Sequence, residues 1–119
     1  MGKHNEFGKL GEQIATDYLI DHGYTIKYRN YRYLKAEIDI VALKGSDLAI
    51  IEVKSRSTNY IEHIAETVTF KKKQLLVMAA DHFVREKDLD VSVRFDIITI
   101  FKKHDKFMLE HLEDAFYHF

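Results

Sequence analysis

The spacing of hydrophobic and polar residues changes period several times along this chain, and each change marks an element. Over "EFGKLGEQIATDYLIDHGY" the apolar residues Phe7, Leu10, Ile14, Ala15, Tyr18 and Leu19 recur at helical spacing, which predicts a helix that stops at Gly23. "TIKYRNYRYL" is β-branched and aromatic and alternates, so it predicts a strand. "AEIDIVALKGSDLAIIEVKSR", Ala36 to Arg56, predicts two apolar strands joined at Gly45-Ser46. "ETVTFKKKQLLVMAADHFVREK" returns to the helical period, with Val68, Leu75, Leu76, Met78, Ala79 and Phe83 expected in the core. "VSVRFDIITIFKK" predicts a strand, "KHD" a turn and "KFMLEHL" a last short strand. The order α-β-β-β-α-β with a trailing strand predicts an α/β (α+β) fold, a mixed central sheet flanked by helices. With no proline, repeat or Gly/Ser-rich linker, residues 1–119 are expected to form one domain.

Composition narrows the chemistry. There is no cysteine, which excludes disulfides and thiolate metal sites and fits a cytoplasmic location. No apolar run is long enough for a signal core or a membrane span, so no membrane partner is expected. Met1-Gly2 is followed by Glu6 where the myristoylation pattern needs Ser or Thr. The net charge of −1 gives no global attraction to nucleic acid. Residues 1–73 hold 12 Lys/Arg against 10 Asp/Glu, and residues 74–119 hold 6 against 9. A polyanion-binding face should therefore use the first part of the chain.

The pattern of "AEIDIVALKGSDLAIIEVKSR" is broken by Glu37, Asp39, Glu52 and Lys54. Charges buried in a sheet cost free energy unless they are paired or hold a metal. A two-residue Gly45-Ser46 turn of type II′ makes Lys44 and Asp47 the flanking pair. In that register Asp39 faces Glu52 and Glu37 faces Lys54, gathering three carboxylates and one ammonium on one patch. Facing carboxylates repel, and a hard divalent cation reverses the sign of that interaction. Mg²⁺ or Mn²⁺ on Asp39 and Glu52, with Lys54 beside it for a phosphate or the attacking water, suits phosphodiester hydrolysis. The plainer reading is a solvated face of alternating charges with a Glu37–Lys54 surface ion pair.

"GKLGEQIATDYLIDHGYTIKYRNYR", "EIDIVAL", "IIEVKSR", "AETVTFKKKQLL" and "RFDIITI" resemble, in order, the blocks of the YraN-like proteins, a bacterial group regarded as predicted nucleases. The resemblance runs from about Gly8 to Phe116 and implies a restriction-endonuclease-like αβββαβ core, distantly similar to archaeal Holliday junction resolvases. It implies that Asp39 and Glu52 are metal-binding acids, Lys54 a catalytic lysine and Glu12 an acid of the first helix pointing into the same site. One departure is Ala36, where the group usually has glycine before E-I-D.

Other residues are candidates for support. "KYRNYRYLK" interleaves Arg29 and Arg32, expected on phosphates, with Tyr28, Tyr31 and Tyr33, expected to pack inward. Arg56 continues the Lys54 strand face as a phosphate clamp. Lys71, in a run with Lys72 and Lys73, is a backbone contact or simply solvated. Gln74 could reach the site from the second helix, and Arg94 and Asp96 are expected to pair structurally. The seven histidines form no H-x-x-x-H cluster and are read as surface or packing residues. Two functions follow. One is a Mg²⁺- or Mn²⁺-dependent DNA endonuclease, selective for branched or nicked DNA, whose apolar C-terminal segment "FMLEHLEDAFYHF" is expected to pack on the core, with a homodimer contact as the alternative. The other is a nucleic-acid-binding module that cuts weakly or not at all and acts with a partner protein.

Overall fold

The computed structural model describes residues 3–56 and 68–116, with side chains described from residue 7. The expected second-helix start at Glu66 and the last three residues of the C-terminal segment lie outside the described residues. The elements are α1 (Lys3–Asp21), β1 (Thr25–Tyr33), β2 (Ala36–Lys44), β3 (Asp47–Arg56), α2 (Phe70–Lys87), β4 (Ser92–Lys103) and β5 (Lys106–Leu112). They form a five-stranded sheet in the order β1-β2-β3-β4-β5, antiparallel except for the parallel β3–β4 pair. The helices pack on opposite faces of this mixed sheet, as expected for a restriction-endonuclease-like α+β core.

Local chemistry sets the helix ends. Gly23 takes a left-handed φ of 89°, and Tyr24 N–H returns to the Leu19 carbonyl at 2.9 Å, closing α1. Thr69 caps α2 by accepting from Lys72 N–H at 3.2 Å, and Arg85 and Lys87 lie in its last turn, where the helix dipole favours cations. On one face Ala15 and Leu19 of α1 pack on Ile40, Ala42, Ile51 and Ile98. On the other, Leu76, Ala79 and Phe83 of α2 pack on Ile38, Val41, Ile50 and Phe95. Each fully buried Leu, Ile or Phe contributes about 1.5–3 kcal/mol relative to exposure.

Two expectations about packing need correction, those for Met78 and Tyr28. Leu10, one of the apolar residues that set the period of α1, is 44% exposed, because the helix buries the stripe of Gly11, Ala15 and Leu19. Met78 is 37% exposed, because it shares the outer stripe of α2 with Gln74 and Asp81. Tyr28 is 47% exposed, whereas Tyr31 is buried with its ring edge on Phe83 and its hydroxyl 2.7 Å from His82 Nδ1.

β1 is not one regular strand. Its register with β2 shifts between Ile26 and Tyr28, and Asn30 adopts a left-handed φ of 56°. Arg29 therefore reaches α1 while Tyr31 packs under α2. β2 makes the matching change of face: Ile38 joins the α2 core and Ile40 the α1 core. The residue between them is Asp39.

Candidate acidic site at the fork between β2 and β3

The hairpin forms as its sequence predicts. Lys44 pairs with Asp47, Gly45 has φ +62°, and Ser46 stays outside the left-handed region, as a type II′ turn requires. Pairing continues in the expected register to Ile40 and Ile51 and then ends. Beyond that point β2 stays with β1 as far as Ala36, and β3 stays with β4 as far as Arg56. The sheet forks, and Asp39 and Glu52 are the first residues inside the fork. They are neighbours in the expected register, but not rungs of a continuous ladder.

Asp39 occupies the fork. Its Oδ2 accepts the backbone N–H of Val53 at 2.8 Å. Burial, then the adjacent Glu52 carboxylate, pushes the Asp39 carboxyl from its ordinary value near 3.8 up to about 8, although the Val53 bond pulls the other way. Glu12 adds a smaller push in the same direction. Because β2 changes face here, Asp39 and Glu37 border cavities on both sides of the sheet. A cavity of about 760 Å³ on the α1 side is lined by Gly8, Glu12, Arg29, Asn30, Glu37, Asp39, Val53 and Ser55, among others. A cavity of about 310 Å³ on the α2 side is lined by Lys35, Glu37, Asp39, Lys72, Leu75 and Leu76.

Glu12 enters from α1 as its sequence context suggests. Gly11 makes this close approach feasible: a Cβ there would meet Ser55 Oγ at 2.2 Å. Gly8 has no such neighbour and instead borders the cavity. Glu12 Oε1 accepts from Arg29 Nε at 3.3 Å, Arg29 Nη2 at 3.2 Å and Asn30 Nδ2 at 3.0 Å. Arg29 is thus bound to Glu12 and Gln13 and holds the acid in place.

Glu52 faces the α2 side and is 7% exposed. Its Oε2 is buried with no hydrogen bond in good geometry, and the ammonium of Lys72 lies 3.3 Å away. A buried carboxylate oxygen in that condition, beside a second acid forced upward in pKa, fits a cation-binding pair. Lys54 follows two residues later on the same strand, half-buried, in register with Thr99 of β4. Arg56 lies two residues further along, in register with Phe101, and its Nη1 reaches the Ser55 carbonyl at 3.5 Å.

Some expected partnerships are different. Glu37 does not pair with Lys54; it pairs with its β1 register partner Arg32 at 3.1 Å, because the fork separates it from β3. Arg32 is therefore an exposed, already paired side chain. The three carboxylates do not form one patch, since Glu52 turns to α2 while Glu37 binds across to β1. Gln74 lines a groove with Met78, Asp81, Val93 and Phe95 and borders neither cavity at the acids. Lys71 is exposed on the first turn of α2. Lys72, one residue further, is the lysine of that run that meets the acids.

A second polar cluster lies elsewhere on the sheet. Buried Asp96 accepts from Arg94 Nε at 2.9 Å, Arg94 Nη2 at 2.8 Å and Asp114 N–H at 3.0 Å, and His111 Nε2 lies 2.7 Å away. The expected Arg94–Asp96 pair is thus formed. Asp96, His111 and Glu113 bring ligand atoms within 4.8 Å of one another, the one such trio among the described residues. The Arg94 guanidinium already bridges Asp96 and Glu113, at 2.8 and 3.1 Å, and neutralises them. His111, read from sequence among the surface or packing residues, is half-buried with its side chain 7% exposed, and it also lies 3.0 Å from the Tyr18 hydroxyl. No helix among the described residues is long and apolar enough to cross a membrane.

Comparison with known proteins adds sequence neighbours to this geometry. The profile described as "Uncharacterised protein family UPF0102" matches residues 11–100. A UPF0102 protein of Flavobacterium psychrophilum is 45% identical over 119 residues, and one of Christiangramia forsetii is 48% identical over 119, each covering the whole of both chains. A UPF0102 protein of Bacteroides thetaiotaomicron is 44% identical over 117 residues, 98% of this chain and 97% of its own.

Proposed function

The chain belongs to the UPF0102 family, the YraN-like group, and from that membership and the acids at the fork we propose that it is a metal-dependent endonuclease that hydrolyses DNA phosphodiester bonds. The observation that carries the reading is the Asp39–Glu52 pair. Two carboxylates are held together, largely out of water, and Asp39 of the pair also lines the cavity that Glu12 borders. In the protein alone this arrangement is costly; a divalent cation makes it favourable.

Asp39 and Glu52 would hold Mg²⁺ or Mn²⁺, which supplies charge neutralisation on a phosphate and acidifies a bound water. The remaining work belongs to the chain's own groups. The Val53 N–H fixes the Asp39 carboxylate, and Arg29 and Asn30 fix Glu12, so both acids keep their orientation when substrate arrives. Glu12 borders the larger cavity as an acceptor for water. Lys54, a donor with no acceptor capacity, offers positive charge to a non-bridging phosphate oxygen from the strand that carries Glu52. Arg56 extends that positive charge along the backbone of the nucleic acid. Hydrolysis adds one water across a P–O bond, leaving a phosphate monoester on one fragment and a hydroxyl on the other.

The test uses linear, nicked and four-way-junction DNA with Mg²⁺, Mn²⁺ or chelator, alongside Asp39→Asn. Metal-dependent cutting lost in Asp39→Asn supports the nuclease, and preference for the nicked or branched substrates supports structure selectivity. Binding to DNA without cutting in either metal overturns it in favour of the nucleic-acid-binding module.

A further inference from the structure

Resting on the reading of Asp39 and Glu52 as metal ligands, we infer that Lys72 is a built-in counter-cation of the site: its ammonium holds Glu52 in the metal-free protein, and an incoming divalent ion must displace it. Three observations support this. Lys72 Nζ lies 3.3 Å from Glu52 Oε2, an oxygen that is buried and without a hydrogen bond in good geometry. Lys72 is anchored at its backbone, where its N–H donates to the Thr69 cap, so the ammonium reaches the acid from a fixed helix end. It also borders the smaller cavity together with Asp39 and Glu37, and is 40% exposed, so a displaced side chain has solvated space to enter.

Lys72 therefore sets a threshold. One positive charge satisfies Glu52 when the metal is scarce, and the stronger field of a divalent ion takes over when it is abundant. Once released, the ammonium stays at the rim of the cavity that Lys35 also lines. Affinity for the ion is lowered by the work of breaking the pair, and stability of the ion-free protein is raised by the same interaction.

The experiment measures Mn²⁺ alone by isothermal titration calorimetry on wild type, Lys72→Met, Lys72→Arg and Asp39→Asn, with urea unfolding of each in chelator. Lys72→Met should bind Mn²⁺ about tenfold more tightly, the scale of one lost ion pair at this burial, and should unfold at lower urea without metal. Lys72→Arg keeps the charge and should stay within about threefold of wild type. Equal or weaker Mn²⁺ binding by Lys72→Met, or equal tightening in Lys72→Arg, overturns the counter-cation role while leaving the metal site intact. Absence of Asp39-dependent Mn²⁺ binding in both wild type and Lys72→Met overturns the metal reading itself. Binding that appears only in Lys72→Met supports the inference in its strongest form.

Discussion

The Asp39 carboxylate stands in for a backbone carbonyl: its Oδ2 receives the Val53 N–H at 2.8 Å where the β2–β3 ladder has ended. One side chain thus closes the fork and supplies the acid of the site. Asp39→Asn keeps an acceptor for Val53 and removes the titrating carboxyl group. Asp39→Ala leaves that N–H without its partner and should be less stable than Asp39→Asn by about 1–3 kcal/mol. Urea midpoints of the two variants, measured in chelator, check this, and equal midpoints would remove the structural role.

The same residue fixes a pH dependence. The folded Asp39 holds its proton up to about pH 8, whereas the unfolded one releases it near its ordinary value of 3.8. Raising the pH between these values favours the unfolded chain, so the ion-free protein should lose stability on the order of 2 kcal/mol or more from pH 4 to pH 8. Asp39→Asn should flatten that slope. Metal binding near pH 7 should release a proton, seen as a binding heat that changes with the ionisation heat of the buffer.

Asp96 has the opposite sign. Burial alone would raise its pKa, but His111, Arg94 and the Asp114 N–H together outweigh that and hold it below the usual value. Its stabilisation is present above pH 4 and is lost as the pH falls through the lowered value. Asp96→Asn should cost about 3 kcal/mol near neutrality, because Arg94 and its partners lose a buried charge. Mn²⁺ affinity of the folded variant should stay at the wild-type level, since this cluster is separate from the fork. A chemical-denaturation series over pH with parallel calorimetry tests both parts.

Gly11 and Ser55 should be coupled. A methyl at Gly11 would meet Ser55 Oγ at 2.2 Å, whereas the Ser55 Cβ lies at an ordinary 3.5 Å. Gly11→Ala alone should destabilise by about 1 kcal/mol, as overpacking outweighs the gain in helix propensity. In a Ser55→Ala background the same change should be neutral or stabilising. A double-mutant cycle with no coupling would show that α1 adjusts freely over β3.

Much of this was legible in the chain because it depends on short-range rules. Alternation and the Gly45-Ser46 pair set the hairpin register, and that register makes Asp39 and Glu52 neighbours. The family match gives Glu12 its place on the first helix, and Gly11 explains how close it comes. What could not be read depends on how distant elements lie over one another. The Lys72–Glu52 pair needs the path of α2 across the sheet, and the Arg29–Glu12 pair needs α1 beside β1. The change of face at Asn30 and Asp39 defeats simple alternation, which is why Tyr28 lies outward while Tyr31 packs inward, and why Glu37 pairs with Arg32 instead of Lys54. The trio around Asp96 was hidden because its members come from β4, β5 and the residue just after β5.

The Gly45-Ser46 turn carries no chemistry, yet it acts as the ruler of the site. Every rung from Lys44–Asp47 to Ile40–Ile51 transmits its length to the two acids beyond. One residue inserted there would slide β3 by a step against β2, sending Glu52 to the α1 side and its apolar neighbours to the wrong cores. The most consequential dimension of the acidic site is therefore set at the opposite end of the hairpin, by two small residues.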